Sequence, residues 1–89
     1  MQITWDENKA ASNLKKHRGV SFDEAATCLL DPMALVIEDP DAEGEQRFIL
    51  IGMSSNANLL TVCYTLPSES SIRIISARKP TKREENSYA

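Results

Sequence analysis

Cationic side chains are concentrated near the C-terminal end of this chain of 89 residues. Arg73 and Arg78 bracket an apolar segment, and a carboxylate and a phenol, Glu84 and Tyr88, follow shortly after it. The same stretch contains three further cations: Lys79, Lys82 and Arg83. A local excess of positive charge favours the binding of an anion, and polyphosphate backbones are the commonest partner of this kind.

The only histidine, His17, lies between Lys16 and Arg18. One interpretation is a partly buried histidine at a helix end, where it interacts favourably with the helix dipole. The other is a group that transfers a proton or contacts a phosphate. The chain has no H-x-E, H-E-x-x-H or Gly-x-Ser-x-Gly motif and no Gly-rich phosphate loop. Cations, a histidine, a glutamate and a tyrosine remain, which is sufficient for metal-free RNA cleavage by the 2′-hydroxyl.

The formal net charge of -3 conceals an uneven distribution. Residues 1–20 and 71–89 are each net positive, whereas residues 21–70 hold nine acids and a single cation, Arg47. The acidic middle argues against a protein that binds DNA directly, because like charges near phosphates oppose binding. The basic ends are the parts suited to an anionic partner.

Cysteine usage and hydropathy predict a soluble cytoplasmic protein. Cys28 and Cys63 lack a C-x-x-C spacing and are expected to be reduced and mostly buried. The N-terminal residues lack the basic and apolar regions of a signal peptide, and no apolar run approaches the roughly 20 residues of a membrane span.

Two helices are predicted in the N-terminal third. A very short strand at 3–5 precedes the first helix, for which Asp6 is a good N-cap and Gly19 a stop. Ser21 and Glu24 form a predicted capping box for the second helix, which ends at Asp31.

The remainder reads as strands over 34–38, 47–53, 59–65 and 72–78. Short loops between them favour an antiparallel meander, with Pro67 in the last turn. A short terminal helix is expected after Pro80, with Glu84 and Tyr88 one turn apart. We therefore predict one domain over residues 1–89 with an α+β, two-layer fold, in which the two N-terminal helices cover a four-stranded, mainly antiparallel sheet.

Strict alternation of side chains places Arg73 and Arg78 on opposite faces of their strand. Both can serve one site only if the strand bends near Ser76 or Ala77. Arg47 begins a neighbouring strand and is expected to share a face with one of them. An arginine on a sheet face needs an acid such as Glu38, or an anionic ligand.

Ordered motifs along the whole chain resemble the BrnT toxins of bacterial toxin–antitoxin pairs. They are W-D-x-x-K-x-x-x-N-x-x-K-H from Trp5, G-V-S-F-x-E-A from Gly19, D-P at Asp31, R-F-x-x-I-G-x-S from Arg47, R-I-I-S-A-R from Arg73 and E-x-x-x-Y from Glu84. Two positions depart from the family: Arg18 is inserted between the histidine and the glycine, and Pro80 replaces a small residue.

The resemblance implies a RelE-like fold and a cofactor-free, metal-independent ribonuclease that inhibits translation. It also implies neutralisation by a BrnA-type antitoxin with a ribbon-helix-helix part, so that DNA is bound only through the complex. The catalytic residues carried over are His17, Arg47, Arg73, Arg78, Glu84 and Tyr88. The residues expected to contact RNA are Lys9, Lys16, Lys79, Lys82 and Arg83.

In this assignment the arginines bind phosphate and stabilise the transition state, and His17 or Glu84 transfers the proton. The alternative is a catalytically decayed toxin that retains its partner surface and acts only in operator control.

Overall fold

The computed structural model describes residues 1–88, which form one five-stranded sheet and three helices. The strands are β1 (Gln2–Trp5), β2 (Leu35–Glu38), β3 (Arg47–Met53), β4 (Leu59–Ser68) and β5 (Ser71–Arg78). The helices are α1 (Glu7–Lys16), α2 (Phe22–Cys28) and α3 (Lys82–Ser87). The predicted α+β fold is confirmed. Within residues 1–88 no helix is long and apolar enough to cross a membrane.

Local capping explains where the helices begin. The Asp6 carboxylate accepts hydrogen bonds from the first backbone N–H groups of α1, and the Ser21 hydroxyl accepts one from Glu24 in α2. The full capping box predicted at Ser21 is not formed, because the Glu24 carboxylate binds Ser54 and Asn58 instead. A reciprocal box is present in α3, between Thr81 and Glu84.

The strand order is β1-β5-β4-β3-β2, with β1 parallel to β5 and all other pairs antiparallel. The prediction of four strands is therefore wrong by one, and the sheet is mixed. Ile3 and Trp5 of β1 pack against the core, and Trp5 meets Phe22 of α2 edge to face at 6.0 Å between ring centroids. This burial holds β1 on the sheet. The strand was not predicted as part of the sheet because a parallel pairing of distant segments leaves no hairpin pattern in the sequence.

One face of the sheet is covered by α1 and α2 and forms the core. Val62, Ile74 and Ala77 from the central strands are almost fully buried there, together with Phe22 and Ala25 from α2. The opposite face, which we call the open face, carries the β4 side chains that alternate with those facing the core. This division decides which charged side chains can meet.

A β-bulge at Ile75 interrupts the alternation of β5. Ile74 pairs with Tyr64 and Ser76 with Cys63, so Ile75 has no partner of its own in β4. Arg73 therefore stands opposite Thr65, and Arg78 opposite Thr61, two β4 residues that share the open face. The bend that was predicted near Ser76 or Ala77 is therefore present as a bulge one residue earlier, at Ile75. It brings Arg73 and Arg78 to the same face.

The end of β4 also differs from the prediction, since Pro67 lies within the strand and not in the turn. The β4–β5 register is irregular between Thr65 and Ser68. A proline is tolerated at such a position because an irregular ladder does not need its missing N–H group.

Candidate functional site

A groove runs between α1 and the part of β5 that lacks a strand neighbour. β1 pairs with β5 only as far as Ile74, so the rest of β5 is an edge on that side. Four adjoining cavities follow this edge, and each shares lining residues with the next. The shared residues are Lys9 and Ile75, then Lys16 and His17, then Arg18 and Lys79. We call this continuous feature the α1–β5 groove.

Asn13 fixes α1 to the exposed edge of β5. Its side-chain amide donates to the Ala77 carbonyl at 2.8 Å and its carbonyl oxygen accepts from the Ala77 N–H at 3.2 Å. The same amide donates to the Val20 carbonyl at 3.0 Å. Asn13 thus satisfies the two edge groups that a strand neighbour would otherwise bind, and its side chain is buried. This contact positions the cations of α1 over β5.

Six of the predicted site residues line the α1–β5 groove: Lys9, Lys16, His17, Arg73, Arg78 and Lys79. Helical spacing places Lys9 and Lys16 on the same side of α1 as Asn13. Arg18 also lines the groove, although in the sequence it stands out only as a departure from the family motif. Its backbone is left-handed, with φ of 52°, in the turn that follows α1.

Arg78 and Glu84 form a bidentate ion pair at the edge of the groove. The two N–H···O distances are 2.7 and 3.0 Å, and Glu84 also accepts hydrogen bonds from Thr61 and from the Thr81 N–H. The Arg78 guanidinium lowers the pKa of Glu84 from 4.5 to about 2, and the same contact raises the pKa of Arg78. An acid does pair with a sheet arginine, as expected, but it is Glu84 and not Glu38, which lies on the β2 edge.

Tyr88 lies away from the groove. Its hydroxyl donates to the Asp31 carboxylate at 2.5 Å, and Asp31 also accepts from the Met53 N–H. The hydrogen bond from Tyr88 lowers the pKa of Asp31, while the carboxylate raises the pKa of Tyr88. The contact anchors the end of α3 to the segment after α2. In this structure Tyr88 holds α3 in place and does not meet the cations of the groove.

Arg47 lies on the open face, outside the groove lining. It pairs with Thr65, which in turn pairs with Arg73, so two exposed arginines flank one threonine. The Thr65 hydroxyl is buried and has no hydrogen-bond partner among residues 1–88. Lys82 and Arg83, also predicted to contact RNA, are exposed on α3. They do not line the groove cavities.

Among residues 1–88, no three His, Cys, Asp or Glu side chains come together in a way that could hold a metal ion. In the middle of the groove, ammonium and guanidinium groups surround one imidazole. Such a set suits the binding of a phosphodiester and the stabilisation of added negative charge on it.

The sequence and the fold were compared with known proteins. Residues 5–84 match the sequence model of a family described as the ribonuclease toxin, BrnT, of type II toxin–antitoxin systems. The fold is similar to a crystal structure of the Brucella abortus ribonuclease toxin, BrnT, with a TM-score of 0.69 and 24% sequence identity. That match covers 92% of this chain and 99% of the other. No curated protein matches the sequence significantly. The chain belongs to the BrnT family of ribonuclease toxins of type II toxin–antitoxin systems.

Proposed function

We propose that this chain is a metal-independent endoribonuclease that cleaves RNA in the α1–β5 groove and thereby inhibits translation. The observation that carries the proposal is that five predicted cations and His17 line one groove together with Arg18. An RNA strand fits such a surface because its successive phosphates can each bind a cation, which leaves the bases free for other contacts.

The proposed reaction is in-line attack by a 2′-hydroxyl on the adjacent phosphorus. The O2′–P bond forms as the P–O5′ bond breaks, which leaves a 2′,3′-cyclic phosphate and a 5′-hydroxyl. Arg73 and Arg78 stabilise the charge that builds on the phosphate oxygens. His17 takes the proton from the 2′-hydroxyl, and the leaving 5′-oxygen is protonated by water in the open groove.

Glu84 is assigned a positioning role in this mechanism. A carboxylate with a pKa of about 2 is a very weak base near neutral pH. Both of its oxygens also bind the Arg78 guanidinium. Of the two residues considered for proton transfer, His17 is therefore favoured, and Glu84 orients Arg78.

Membership of the family supports a proposal about the biological setting. We propose that the chain acts in the cytoplasm and that a BrnA-type antitoxin with a ribbon-helix-helix part neutralises it, so that DNA is bound only through the complex. The alternative of a decayed toxin is favoured by one observation, namely that Glu84 occupies both arms of Arg78. In that case the chain would bind its antitoxin tightly without arresting growth.

The test is RNA cleavage by the purified chain in the presence of EDTA. We expect cleavage to persist in EDTA and Arg73→Ala to reduce its rate by at least about 100-fold, as for the loss of one transition-state donor. Absence of RNA cleavage and of any effect on translation by the folded wild-type protein would overturn the proposal.

Two neighbouring lysines provide a matched pair for RNA binding. Lys16 lines the groove, whereas Lys15 is exposed and is not part of its lining. Lys16→Ala should weaken binding and reduce the slope of log K against log salt by about one. Lys15→Ala removes the same charge and should leave that slope unchanged. Equal effects of the two substitutions would mean that RNA does not lie in the groove.

A further inference from the structure

The α1–β5 groove ends in its largest cavity, of about 450 Å³, and this end pocket has a different character from the rest. Arg18 and Lys79 continue the cationic lining into it, but Glu24, Glu85 and Asn58 also line it. The remaining walls include apolar side chains such as Leu59, Leu60 and Pro80. Along the groove, a phosphate-binding surface thus gives way to a pocket with donors, acceptors and apolar walls.

A phosphate is a poor occupant of the end pocket because two carboxylates line it. Like charges at close range cost free energy, whereas a neutral ring with donors and acceptors meets no such penalty. A nucleobase has this composition, and its faces pack on apolar walls. The position at the end of a cationic groove also matches the arrangement of a nucleotide, with its phosphate on one side and its base on the other.

The walls of the end pocket are held by hydrogen bonds among its own residues and to their neighbours. Ser54 donates to the Glu24 carboxylate at 2.6 Å and Asn58 donates to it at 2.8 Å, and these bonds lower the pKa of Glu24. Gly19, with φ of 86°, allows the sharp turn that follows Arg18. A site with pre-fixed walls loses little entropy on binding.

The opposite wall is provided by α3, which carries Glu85. The helix is fixed at its start by the Arg78–Glu84 ion pair and at its end by the Tyr88 hydroxyl on Asp31. Glu85 itself is exposed and has no described side-chain partner among residues 1–88. Its carboxylate is therefore available to a ligand in the pocket.

We propose that the end pocket binds a guanine base of RNA lying in the α1–β5 groove. The inference rests on the proposed function and adds the base preference of that site. Guanine has two donors side by side, N1–H and N2–H on nitrogens joined through C2, and the two oxygens of the Glu85 carboxylate can accept both. Its O6 and N7 acceptors suit Arg18 or Lys79. Adenine, cytosine and uracil lack the adjacent pair of donors.

The test measures binding without cleavage. The ligands are 2′-O-methyl hexauridylates in which one internal uridine is replaced by G, A or C, together with guanosine 5′-monophosphate alone. We expect the G-containing hexamer to bind at least about five-fold more tightly than the other hexamers, as for one good bidentate pair. In NMR titrations the amide signals of Gly19 and Asn58 should shift most strongly with this ligand.

Glu85→Gln should abolish most of the guanine preference while leaving the affinity for the A and C hexamers within about two-fold. Glu69→Gln is the matched control, because Glu69 is an exposed glutamate in the β4–β5 turn. Equal binding of all hexamers, or a preference that survives Glu85→Gln, would overturn the inference. So would a free mononucleotide that binds as tightly as the G hexamer, since the site would then serve nucleotides and not RNA.

Cleavage mapping separates this inference from the proposed function. RNA cut without regard to guanine, with no preference among the hexamers, removes the inference and leaves the ribonuclease. Guanine preference in binding without any cleavage of unmodified RNA supports the pocket and removes the ribonuclease.

Discussion

Replacement of Glu84 by glutamine isolates the charge of the Arg78–Glu84 ion pair. The side-chain oxygen of glutamine can still accept from Thr61 and from the Thr81 N–H, as Glu84 Oε1 does at 3.0 and 2.9 Å. What is lost is the carboxylate that faces both arms of the Arg78 guanidinium. The N–H₂ group of the new glutamine would also face the N–H groups of Arg78, so that two hydrogen-bond donors oppose each other. The substitution should therefore destabilise the protein mainly through this pair.

The size of the effect follows from the pKa of Glu84. A decrease from 4.5 to about 2 corresponds to about 3 kcal/mol of folding free energy. The Arg78 side chain is 34% exposed, so solvent screening reduces the contribution, and we expect about 1–2 kcal/mol. Because the folded-state pKa lies below the unfolded one, this stability is present above about pH 5 and is lost as the pH falls from 4.5 toward 2.

Urea unfolding of the wild type and Glu84→Gln at pH 7 and pH 3 measures the difference. The wild type should be more stable by about 1–2 kcal/mol at pH 7, and by less than half of that at pH 3. Glu85→Gln removes a charge from the next, exposed residue of α3 and should change stability by less than about 0.5 kcal/mol. A Glu84→Gln difference that is the same at both pH values would refute the reasoning.

Three further outcomes are expected elsewhere in the fold. Asn13→Ala leaves both edge groups of Ala77 without partners and should cost about 3 kcal/mol or more in urea unfolding; a loss under about 1 kcal/mol would contradict the role of this amide. Gly52→Ala places a Cβ 3.1 Å from the Cys28 carbonyl oxygen and should lower the free energy of unfolding by about 1–3 kcal/mol, whereas an unchanged midpoint would show that α2 can shift. Burial raises the pKa of Cys28 to about 11, so a thiol reagent at pH 8 should label the half-buried Cys63 of the folded protein well before it; rapid labelling of both would contradict this.

The sequence predicted the elements whose signals are local. Asp6 and Ser21 cap the first two helices because a side chain and the backbone two or three residues later decide the geometry. The four strands of the antiparallel part of the sheet were also predicted, because apolar runs and the short loops between them are local signals. The place of β1 was not, since its parallel pairing with β5 joins residues at opposite ends of the chain. Glu24 was also misassigned, because its competing partner Asn58 lies in a distant hairpin loop.

The groove was predictable only in part. Lys9 and Lys16 recur at helical spacing, which shows that they share a side of α1 but not what that side faces. Asn13 decides this by binding the β5 edge, and nothing local in the sequence distinguishes such an asparagine from a solvated one. The same limitation applies to Tyr88, whose partner Asp31 belongs to another part of the chain.

The bulge at Ile75 is the feature on which the site depends, and the reason lies in burial. Ile72 and Ile74 face the core, and strict alternation would continue with Ser76 and Arg78 on that face and Ala77 outside. A guanidinium beneath α1 and α2 without a partner would cost several kcal/mol, and a serine would replace apolar packing. One extra residue reverses this assignment, so that Ala77 is buried and Arg78 reaches the open face. The spacing of three residues between the buried Ile74 and Ala77 therefore indicates a bulge between them. The spacing alone does not decide whether Ile75 or Ser76 is the extra residue. In the structure it is Ile75, which lines the groove against α1.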